Sequence, residues 1–373
     1  MRLRKVRRTR KTRKRSGRIS RSRPSLSHPK RPKRPKRPKR PKRHIAPASK
    51  QNAAYSAGIH DARILRESGF VIELSPSLKQ QINESWTHRY GQDRSSLLTH
   101  KMIAEGKHYA QGFLSELNLP EQTWLPIPMK KAAAAIVLTG DGINLLALKE
   151  LLRLPLEEII VMLEGADEQC FAAVRSLPGI TVVHTKESLG QDVGRAVGTR
   201  LTSAETILFT NGAEAVPAEQ LAHLLIAIDN NADLALTDGS ESVGLFREWD
   251  DLTRVKAFMN WSLGRPDLLA NSAAELPNAW SRKGINLIGT AALSVPPVAH
   301  QLAIEHKLII MSCPVPDAVR TVSRKGQLPP NTAVNKLEVG DHIEALTAAM
   351  GLRGSRLSYP DRVRTRFPDR GGT

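Results

Sequence analysis

Four short polar segments in the middle of the chain carry side chains that could bind a ligand. Each follows an apolar run and each contains a carboxylate: the segments are residues 139–142, 164–167, 211–214 and 238–240. In parallel α/β sheets, ligands bind just beyond the carboxyl ends of the strands. If the apolar runs are neighbouring parallel strands, the four segments meet at one edge of the sheet, and the sequence predicts a ligand site there.

The chain around these segments has the alternation that would bring them together. Apolar runs predict buried strands over residues 132–138, 158–163, 180–184, 205–210 and 233–237. Amphipathic stretches between them predict helices over residues 144–153, 167–175, 191–201 and 217–229. Strand–helix units that repeat at about 25 residues predict an α/β fold, with a mainly parallel sheet covered by helices on both faces.

Composition divides the chain into four parts. We predict a polybasic arm (residues 1–45), a helical connector (46–129), the α/β domain (130–345) and a C-terminal tail (346–373). In the connector, helical spacing without strand signals predicts helices around residues 62–66, 77–86, 95–105 and 108–117. Three prolines, Pro120, Pro126 and Pro128, then separate the connector from the first strand.

The arm carries the net positive charge of the protein. Residues 1–43 contain 23 Lys or Arg and no Asp or Glu. Because the whole chain has 56 basic and 36 acidic side chains, 33 basic and 36 acidic side chains remain beyond residue 43. The remainder is therefore almost neutral, which argues against a dedicated nucleic-acid-binding domain, since such domains usually have a basic face.

The triplet Pro-Lys-Arg repeats five times between Pro29 and Arg43. Proline at every third position excludes helix and sheet, and like charges extend the chain, so we predict a disordered polyproline II rod. It should bind polyanions by counterion release without base stacking, because the arm has no aromatic residue. Nucleic acid, an anionic cell-wall polymer, an anionic membrane surface and a merely solubilising role remain alternatives. The predicted polyanion-binding residues are Lys30, Arg31, Lys33, Arg34, Lys36, Arg37, Lys39, Arg40, Lys42 and Arg43.

Cysteine usage and hydropathy exclude several classes of protein. Cys170 and Cys313 are far apart and lack metal-ligand spacing, which argues against a disulfide framework or a zinc site and favours a reducing compartment. No apolar run reaches the roughly 18 residues that a membrane-spanning helix needs. The basic N-terminus lacks the apolar core of a secretory signal, and the proline repeat is foreign to organelle transit peptides. We therefore expect a cytoplasmic protein, peripheral on an anionic structure.

Beyond the third predicted strand, Gly190, Arg195 and Gly198 precede a fourth strand that ends in Asn-Gly-Ala-Glu at residues 211–214. With Glu164 at the end of the second strand, these features resemble in order and spacing the nucleotide-sugar-binding half of family 2 glycosyltransferases with the GT-A fold. The resemblance covers residues 132–221 well and extends loosely to residue 310. It implies a Rossmann-like GT-A sheet and a nucleotide-sugar donor as the small-molecule partner.

The resemblance also implies roles for individual residues. The implied nucleotide-sugar contacts are Asp141, Glu164, Arg195 and Asn211. The family's D-x-D carboxylates hold a divalent cation, Mn or Mg, but here their positions are Asn211 and Ala213. Asn211 and the adjacent Glu214 would form a weaker metal site, because hard cations prefer several charged oxygen ligands. The position of the family's catalytic Glu-Asp base reads Ser-Val-Pro-Pro at residues 294–297, so no catalytic residue is assigned.

Each implied role competes with a structural one. Glu164 could instead cap the helix that begins near Asp167, because acids are favourable at helix N-termini. Arg195 could be a solvated helix arginine, and Asn-Gly at residue 211 is an ordinary turn pair. Asp141 and Asp238 both follow strands and could likewise be turn residues. The histidines share no ligand spacing, so we expect them to be ordinary surface or core residues.

Three functions are compatible with these observations. The first is a family-2-like glycosyltransferase that moves a sugar from a nucleotide-sugar to an acceptor, tethered to a polyanion by its basic arm. The second is a catalytically inactive protein of the same fold, kept for binding or scaffolding, which the missing carboxylates favour. The third is a nucleic-acid-associated protein that acts through the arm, which the nearly neutral remainder disfavours.

Overall fold

The computed structural model describes residues 53–90, 99–140, 142–190, 192–240, 243–314 and 333–359. All of them belong to one compact unit, Ser49–Thr373. The basic arm, with its ten predicted polyanion-binding residues, lies outside the described residues, and so does Asp141.

A single sheet of seven strands forms the centre of the unit. The strands are β1 (Ala133–Leu138), β2 (Glu158–Glu164), β3 (Ile180–Thr185), β4 (Thr206–Asn211), β5 (Leu234–Asp238), β6 (Asn278–Ser281) and β7 (Ile310–Pro314). Their order is β3-β2-β1-β4-β6-β5-β7. Every pairing is parallel except those of β6, which is antiparallel to both of its neighbours. The predicted α/β fold with a mainly parallel sheet is confirmed, as is the adjacency of the first four predicted strands.

Helices cover both faces of this sheet. They are α4 (Leu145–Leu152), α5 (Glu168–Arg175), α6 (Val193–Arg200), α7 (Ala218–Asp229), α8 (Asp251–Ser262), α9 (Arg282–Ile288), α10 (Pro296–Glu305) and α11 (Ala333–Arg353). One core contains Leu148, Val174 and Leu225 from α4, α5 and α7. A second core, with Phe209 and Trp280 from the sheet, takes in α6 and α8 to α11. The two cores make a three-layer domain, the arrangement by which a parallel sheet is buried on both faces.

The connector folds into three helices, α1 (Ala53–Glu67), α2 (Pro76–Tyr90) and α3 (Thr99–Glu116). Their shared core is aromatic, with Trp86, Tyr109 and Phe113 in contact. The connector is attached to the sheet domain by an ion pair and a hydrogen bond: Lys107 of α3 lies 2.6 Å from the carboxylate of Glu219 in α7, and Lys79 Nζ of α2 donates to Leu152 O of α4 (2.7 Å). It therefore packs on the α/β domain rather than standing apart from it.

The last helix crosses the boundary that composition places after residue 345. Helix α11 continues from Ala333 to Arg353, and Ala345, Leu346 and Ala349 are buried in the second core. Because these apolar side chains lie on one helical face against α8 and α10, the domain extends to the end of α11. Within the described part of the chain, no helix is long and apolar enough to cross a membrane.

Candidate functional site

The ends of β1 and β4 are joined by backbone hydrogen bonds at the carboxyl edge of the sheet. Gly212 N donates to Leu138 O (2.7 Å), and Asn144 N donates to Gly212 O (2.8 Å). A Cβ on Gly212 would lie 3.0 Å from Thr139 Cγ2, so only glycine fits without displacing the β1 end. Thr139 Oγ1 in turn donates to Met162 O of β2 (2.6 Å). The three central strands therefore end in one connected platform.

Glu164 lies at the end of β2 and fastens the loop between β3 and α6. Its Oε2 accepts hydrogen bonds from Ser188 Oγ (3.0 Å) and from Leu189 N (2.9 Å). The alternative that Glu164 caps α5 is wrong, because Asp167 is the N-cap and accepts from Cys170 N (2.7 Å). The carboxylate of Glu164 remains partly exposed at the carboxyl edge. It can meet a ligand there only beside the loop that it holds.

Asn211 forms the turn that its sequence suggests. Its Oδ1 accepts a hydrogen bond from Ala213 N (2.9 Å), which is an Asx turn, while Glu214 is exposed to solvent. The amide oxygen that would bind a cation thus already accepts one hydrogen bond within the turn, and Ala213 offers no ligand atom. In the described parts of the chain, no group of three His, Cys, Asp or Glu side chains could hold a metal ion. These residues do not fit a dedicated cation site.

Arg195 is neither a diphosphate ligand nor a solvated helix residue in this structure. Its side chain is only 2% exposed and forms an ion pair with Asp192 (2.7 Å). Its other two guanidinium nitrogens donate to the carbonyl oxygens of Ala273 and Ala274, both at 2.9 Å. The guanidinium also lies 5.8 Å from the centre of the Phe209 ring. The prediction that Arg195 lines the cleft with Glu164 needs correction, because its donors are all directed into the protein.

The two glycines that flank Arg195 in the sequence pattern serve the fold. Gly190 has a φ of 101°, a conformation that favours glycine. Gly198 faces β1, where a Cβ would lie 2.7 Å from Ile136 Cγ2. Gly190 thus shapes the turn before α6, Gly198 lets α6 lie directly on β1, and Arg195 joins α6 to the loop at residues 273–274. The part of the family pattern that this sequence keeps is therefore the part that packs the helix.

A polar junction at the ends of β5 and β7 joins the fourth predicted segment, residues 238–240, to Asn271 and Ser312, which the sequence prediction did not include. Buried Asn271 donates through Nδ2 to Asp238 Oδ1 (3.1 Å) and to Ser312 Oγ (3.1 Å), and its Oδ1 accepts from Gly239 N (3.0 Å). Asp238 also forms a turn, because its Oδ1 accepts a hydrogen bond from Ser240 N (2.9 Å). The junction fixes the second half of the carboxyl edge. Its central residue lies in a loop with no pattern of its own, so the sequence offered no signal for it.

A buried charge cluster lies under the start of α11. Lys256 of α8 is 3.0 Å from Glu275 and 3.6 Å from Glu338, and its side chain is 7% exposed. Burial raises the pKa of Glu338, with Glu275 and Asp192 adding to the increase and Lys256 opposing it. Burial lowers the pKa of Lys256, but the two carboxylates outweigh it and the net shift is upward. The cluster thus keeps Lys256 positively charged and holds α11 against α8.

Two buried histidines support the loop that receives Arg195. His342 Nε2 lies 3.0 Å from Ser272 Oγ, and His342 Nδ1 lies 2.6 Å from Glu338 O. His300 Nδ1 accepts a hydrogen bond from Ala273 N (3.2 Å). Burial lowers the pKa of His342 to about 4 and that of His300 to about 3, so both are neutral at pH 7. Ser272 and His342 have the contact of a nucleophile and its base, but both are buried, so the pair is structural.

The region that resembles the catalytic half of the family is also structural. Residues 294–297 span the end of a short 3-10 helix and the start of α10, and they carry no carboxylate. Arg282, at the start of α9, donates to the carbonyl oxygens of Ala204 and Thr202 at 3.0 and 2.7 Å. No general base is therefore visible in this segment.

Three solved structures are similar to this chain. A mannosyltransferase of Pyrobaculum calidifontis in complex with GDP-Man and Mn2+ is 14% identical, with a TM-score of 0.33, over 81% of this chain and 86% of that one. The 4-diphosphocytidyl-2C-methyl-D-erythritol synthase of Anaerococcus prevotii is 15% identical, with a TM-score of 0.37, over 57% and 99%. A Mycobacterium tuberculosis protein in complex with manganese is 15% identical, with a TM-score of 0.34, over 49% and 88%.

No protein-family model matches the sequence, and no curated protein matches it. At these identities the similarity to the solved structures concerns the fold. The α/β assignment itself rests on the strand order of this chain.

Proposed function

We propose that the carboxyl edge of the sheet binds a nucleotide-sugar, and that the protein is a glycosyltransferase-like enzyme. The observation that carries the proposal is the connected platform at the ends of β1, β2 and β4. Parallel sheets bind ligands at this edge, and the loops of neighbouring strands supply the contacts. The family resemblance of residues 132–221, which is a resemblance of sequence pattern, gives the chemical class of the ligand.

The platform has room for a ligand close to its backbone. Side chains are lacking at Gly140, Gly142 and Gly165, and no heavy atom lies within 4 Å of the position that a Cβ would take at any of them. Gly142 and Gly165 also have positive φ values of 100° and 61°, which suit tight turns. Gly142 N and Gly165 N donate within the edge itself, to Thr139 O (2.8 Å) and Thr185 O (3.0 Å), so these glycines provide space for a ligand rather than hydrogen-bond donors to it.

The transfer step has weaker support than binding. A direct displacement needs a base in hydrogen-bond reach of the acceptor hydroxyl, and the segment that resembles the catalytic region has none. Asn211 uses its amide oxygen within its own turn, and Ala213 has no ligand atom. These two residues favour a second candidate function, in which the domain binds the nucleotide-sugar without transferring it.

A thermal-shift screen of the full-length protein tests binding. UDP-, GDP- and dTDP-sugars are each added with and without manganese, because the similar mannosyltransferase was solved with GDP-Man and Mn2+. At about one hundred times the Kd, a ligand stabilises the folded state by about 2.7 kcal/mol, which should raise Tm by several degrees. If no nucleotide-sugar raises Tm at millimolar concentration, the proposal is wrong.

A gain-of-function variant separates the two candidates. Asn211→Asp combined with Ala213→Asp restores two carboxylates at the positions of the family's metal ligands, and paired carboxylates suit a divalent cation. If the domain is a binding module that has lost its cation, this variant should bind the same nucleotide-sugar more tightly only when manganese is present. If the protein is instead an enzyme whose cation ligands lie elsewhere, the wild-type protein should turn over the donor. The double variant should then turn it over more slowly.

For the basic arm we propose an electrostatic tether to polyanions. The 23 basic residues before His44 and the absence of aromatic residues support binding to phosphate polymers without sequence preference. Deleting residues 1–43 should abolish binding to DNA, RNA and polyphosphate, and binding by the full-length protein should fall about tenfold or more from low to physiological salt. Retained affinity after deletion would place the binding surface on the α/β domain instead.

A further inference from the structure

A cavity of about 760 Å³ lies at the opposite, amino edge of the sheet. Its walls are helix α2, the segment that leads into β1, and the residues just before β2 and β3. Pockets for small organic ligands have volumes of roughly 300–1,000 Å³, so this cavity has the size of a ligand site. It is remote along the strands from the platform described above, because the two edges are opposite ends of the same sheet.

Lys79 of α2 is the chemically distinctive residue of this cavity. Its Nζ donates to Leu152 O (2.7 Å). Burial lowers the pKa of Lys79 to about 8. Among the described residues, no carboxylate lies within salt-bridge distance of Lys79, Lys130 or Lys131, all of which line the cavity. The side chain of Lys79 is half-buried, and an ammonium that loses water without gaining an anionic partner is destabilised, so its position needs an explanation.

Two acids, Glu84 and Glu157, also line the cavity, and both are exposed to solvent. Glu84 accepts hydrogen bonds from Gln80 Nε2 and Gln81 Nε2, both at 2.9 Å. The remaining wall is largely apolar, with Trp124 and Ile159 among its residues. An ammonium group has three N–H donors, and Leu152 O takes one of those on Lys79. The cavity therefore combines unused donors, positive charge and an apolar wall.

We propose that this cavity binds a small organic anion, a carboxylate, sulfonate or phosphate with an apolar body, and that Lys79 contacts the anionic group directly. The apolar body lies against Trp124 and Ile159. Lys130 and Lys131 add positive potential at the mouth of the cavity. The site is independent of the nucleotide-sugar proposal, since it shares no residue with the carboxyl edge.

The probe for the test is 1-anilinonaphthalene-8-sulfonate, which has an aromatic body and a sulfonate and fluoresces when it leaves water. The full-length protein should bind it saturably, and Lys79→Met should lower the affinity about tenfold or more, because hydrogen bonds to a charged group contribute about 1.5–3 kcal/mol. Lys149→Met is the matched control, since Lys149 is an exposed lysine of α4 outside the cavity, and its affinity should equal wild type.

A pH titration of the wild-type protein tests the proposal without any variant. Because Lys79 is charged only below its pKa of about 8, affinity for the probe should fall as pH rises from 7 to about 9.5. Exposed aromatic side chains elsewhere, such as Trp261 of α8, are the alternative binding place. Equal affinity in wild type and Lys79→Met, a flat pH profile, or loss of binding in Trp261→Ser but not in Lys79→Met would each overturn the proposal.

Discussion

The two edges of the sheet handle polar side chains in opposite ways. At the carboxyl edge Glu164, Asn211 and Asn271 all accept hydrogen bonds from nearby loop residues. Arg195 is buried and donates hydrogen bonds to Asp192 and to two carbonyl oxygens. At the amino edge the ammonium of Lys79 has one carbonyl partner and no carboxylate among the described residues. The first edge uses its polar groups to fix loop geometry, whereas the second leaves a half-buried ammonium without an anionic partner in the described part of the chain.

The sequence resemblance therefore indicates a candidate site at the carboxyl edge of the sheet, whereas the position of Lys79 indicates one at the amino edge. The pattern shared with glycosyltransferases leads to the carboxyl edge, but the residues it retains, such as Gly198 and Arg195, hold α6 on the sheet. The ammonium of Lys79 has no sequence pattern around it, yet it loses water without gaining an anionic partner among the described residues. Four experiments break or sharpen the comparison, in order of expected effect.

The largest effect is expected from Arg195→Met. The substitution leaves the Asp192 carboxylate and the carbonyl oxygens of Ala273 and Ala274 without their partner, and breaking a buried ion pair costs about 3–5 kcal/mol of unfolding free energy. Arg200→Met is the control, because Arg200 is an exposed residue of the same helix and should change stability by about 0.5 kcal/mol or less. Urea unfolding measures both. Equal midpoints for the two variants would mean that the carboxyl edge does not depend on internal pairing.

Acid should lower the free energy of unfolding, because two buried histidines that support the loop beside the carboxyl edge are neutral in the folded protein. The pKa values of His300 and His342 are about 3 and about 4 in the folded state, below the 6.5 of an unfolded chain. The unfolded state therefore binds more protons below pH 6.5, and stability falls as pH drops. Between pH 6.5 and 5 each histidine should cost about 2 kcal/mol. His300→Gln with His342→Gln should flatten this slope in urea titrations; an unchanged slope would assign it to other groups, such as His223.

A smaller change in the free energy of unfolding is expected when a helix glycine is replaced by alanine, and its sign should differ between α6 and α11. Gly198→Ala places a methyl group 2.7 Å from Ile136 Cγ2 and should cost about 1–3 kcal/mol, because α6 must move away from β1. Gly340→Ala in α11 meets no atom within 4 Å and should instead stabilise by up to about 1 kcal/mol, since alanine is the better helix former. Thermal unfolding distinguishes the two signs. A stabilising Gly198→Ala would show that α6 does not need close contact.

The smallest effect is expected at the amino edge. Lys79→Met removes a half-buried ammonium but also its hydrogen bond to Leu152 O, so stability at pH 7 should change by only about 1 kcal/mol and should not fall sharply. Because the folded pKa of about 8 lies below the unfolded value of 10.5, the penalty is present at low pH and relieved as pH rises from 8 to 10.5. Wild type should therefore gain stability relative to the variant over that interval. A large loss in the variant would show that Lys79 is structural.

The sequence predicts most of the strands, because the apolar runs that form them are visible within a few consecutive residues. Apolar runs around Ile136, Ile160 and Leu208 are strands by hydrophobicity alone, and the prediction places β1 to β5 within one or two residues. β6 and β7 escape prediction because strands of four and five residues with mixed polarity resemble loops.

The candidate site was only partly predictable. Turn residues such as Asn211 can be predicted from their residue type, and their positions at strand ends follow from the fold. The burial of Arg195 depends on the carbonyl oxygens of Ala273 and Ala274, nearly 80 residues away, and the partners Lys256 and Glu338 are equally remote in sequence. Local patterns carry no information about such pairings, because they arise only when the helices pack.

Hydrogen exchange of the full-length protein with and without the most stabilising nucleotide-sugar tests the central claim most directly. Binding at the carboxyl edge predicts slower exchange in peptides that cover residues 164–167, 186–190 and 211–216, which lie at the ends of β2, β3 and β4. Peptides over residues 74–84 and 122–133, which line the amino-edge cavity, should exchange unchanged. Protection of those cavity peptides instead, or no protected peptide at saturating ligand, would contradict a nucleotide-sugar site at the ends of β1, β2 and β4.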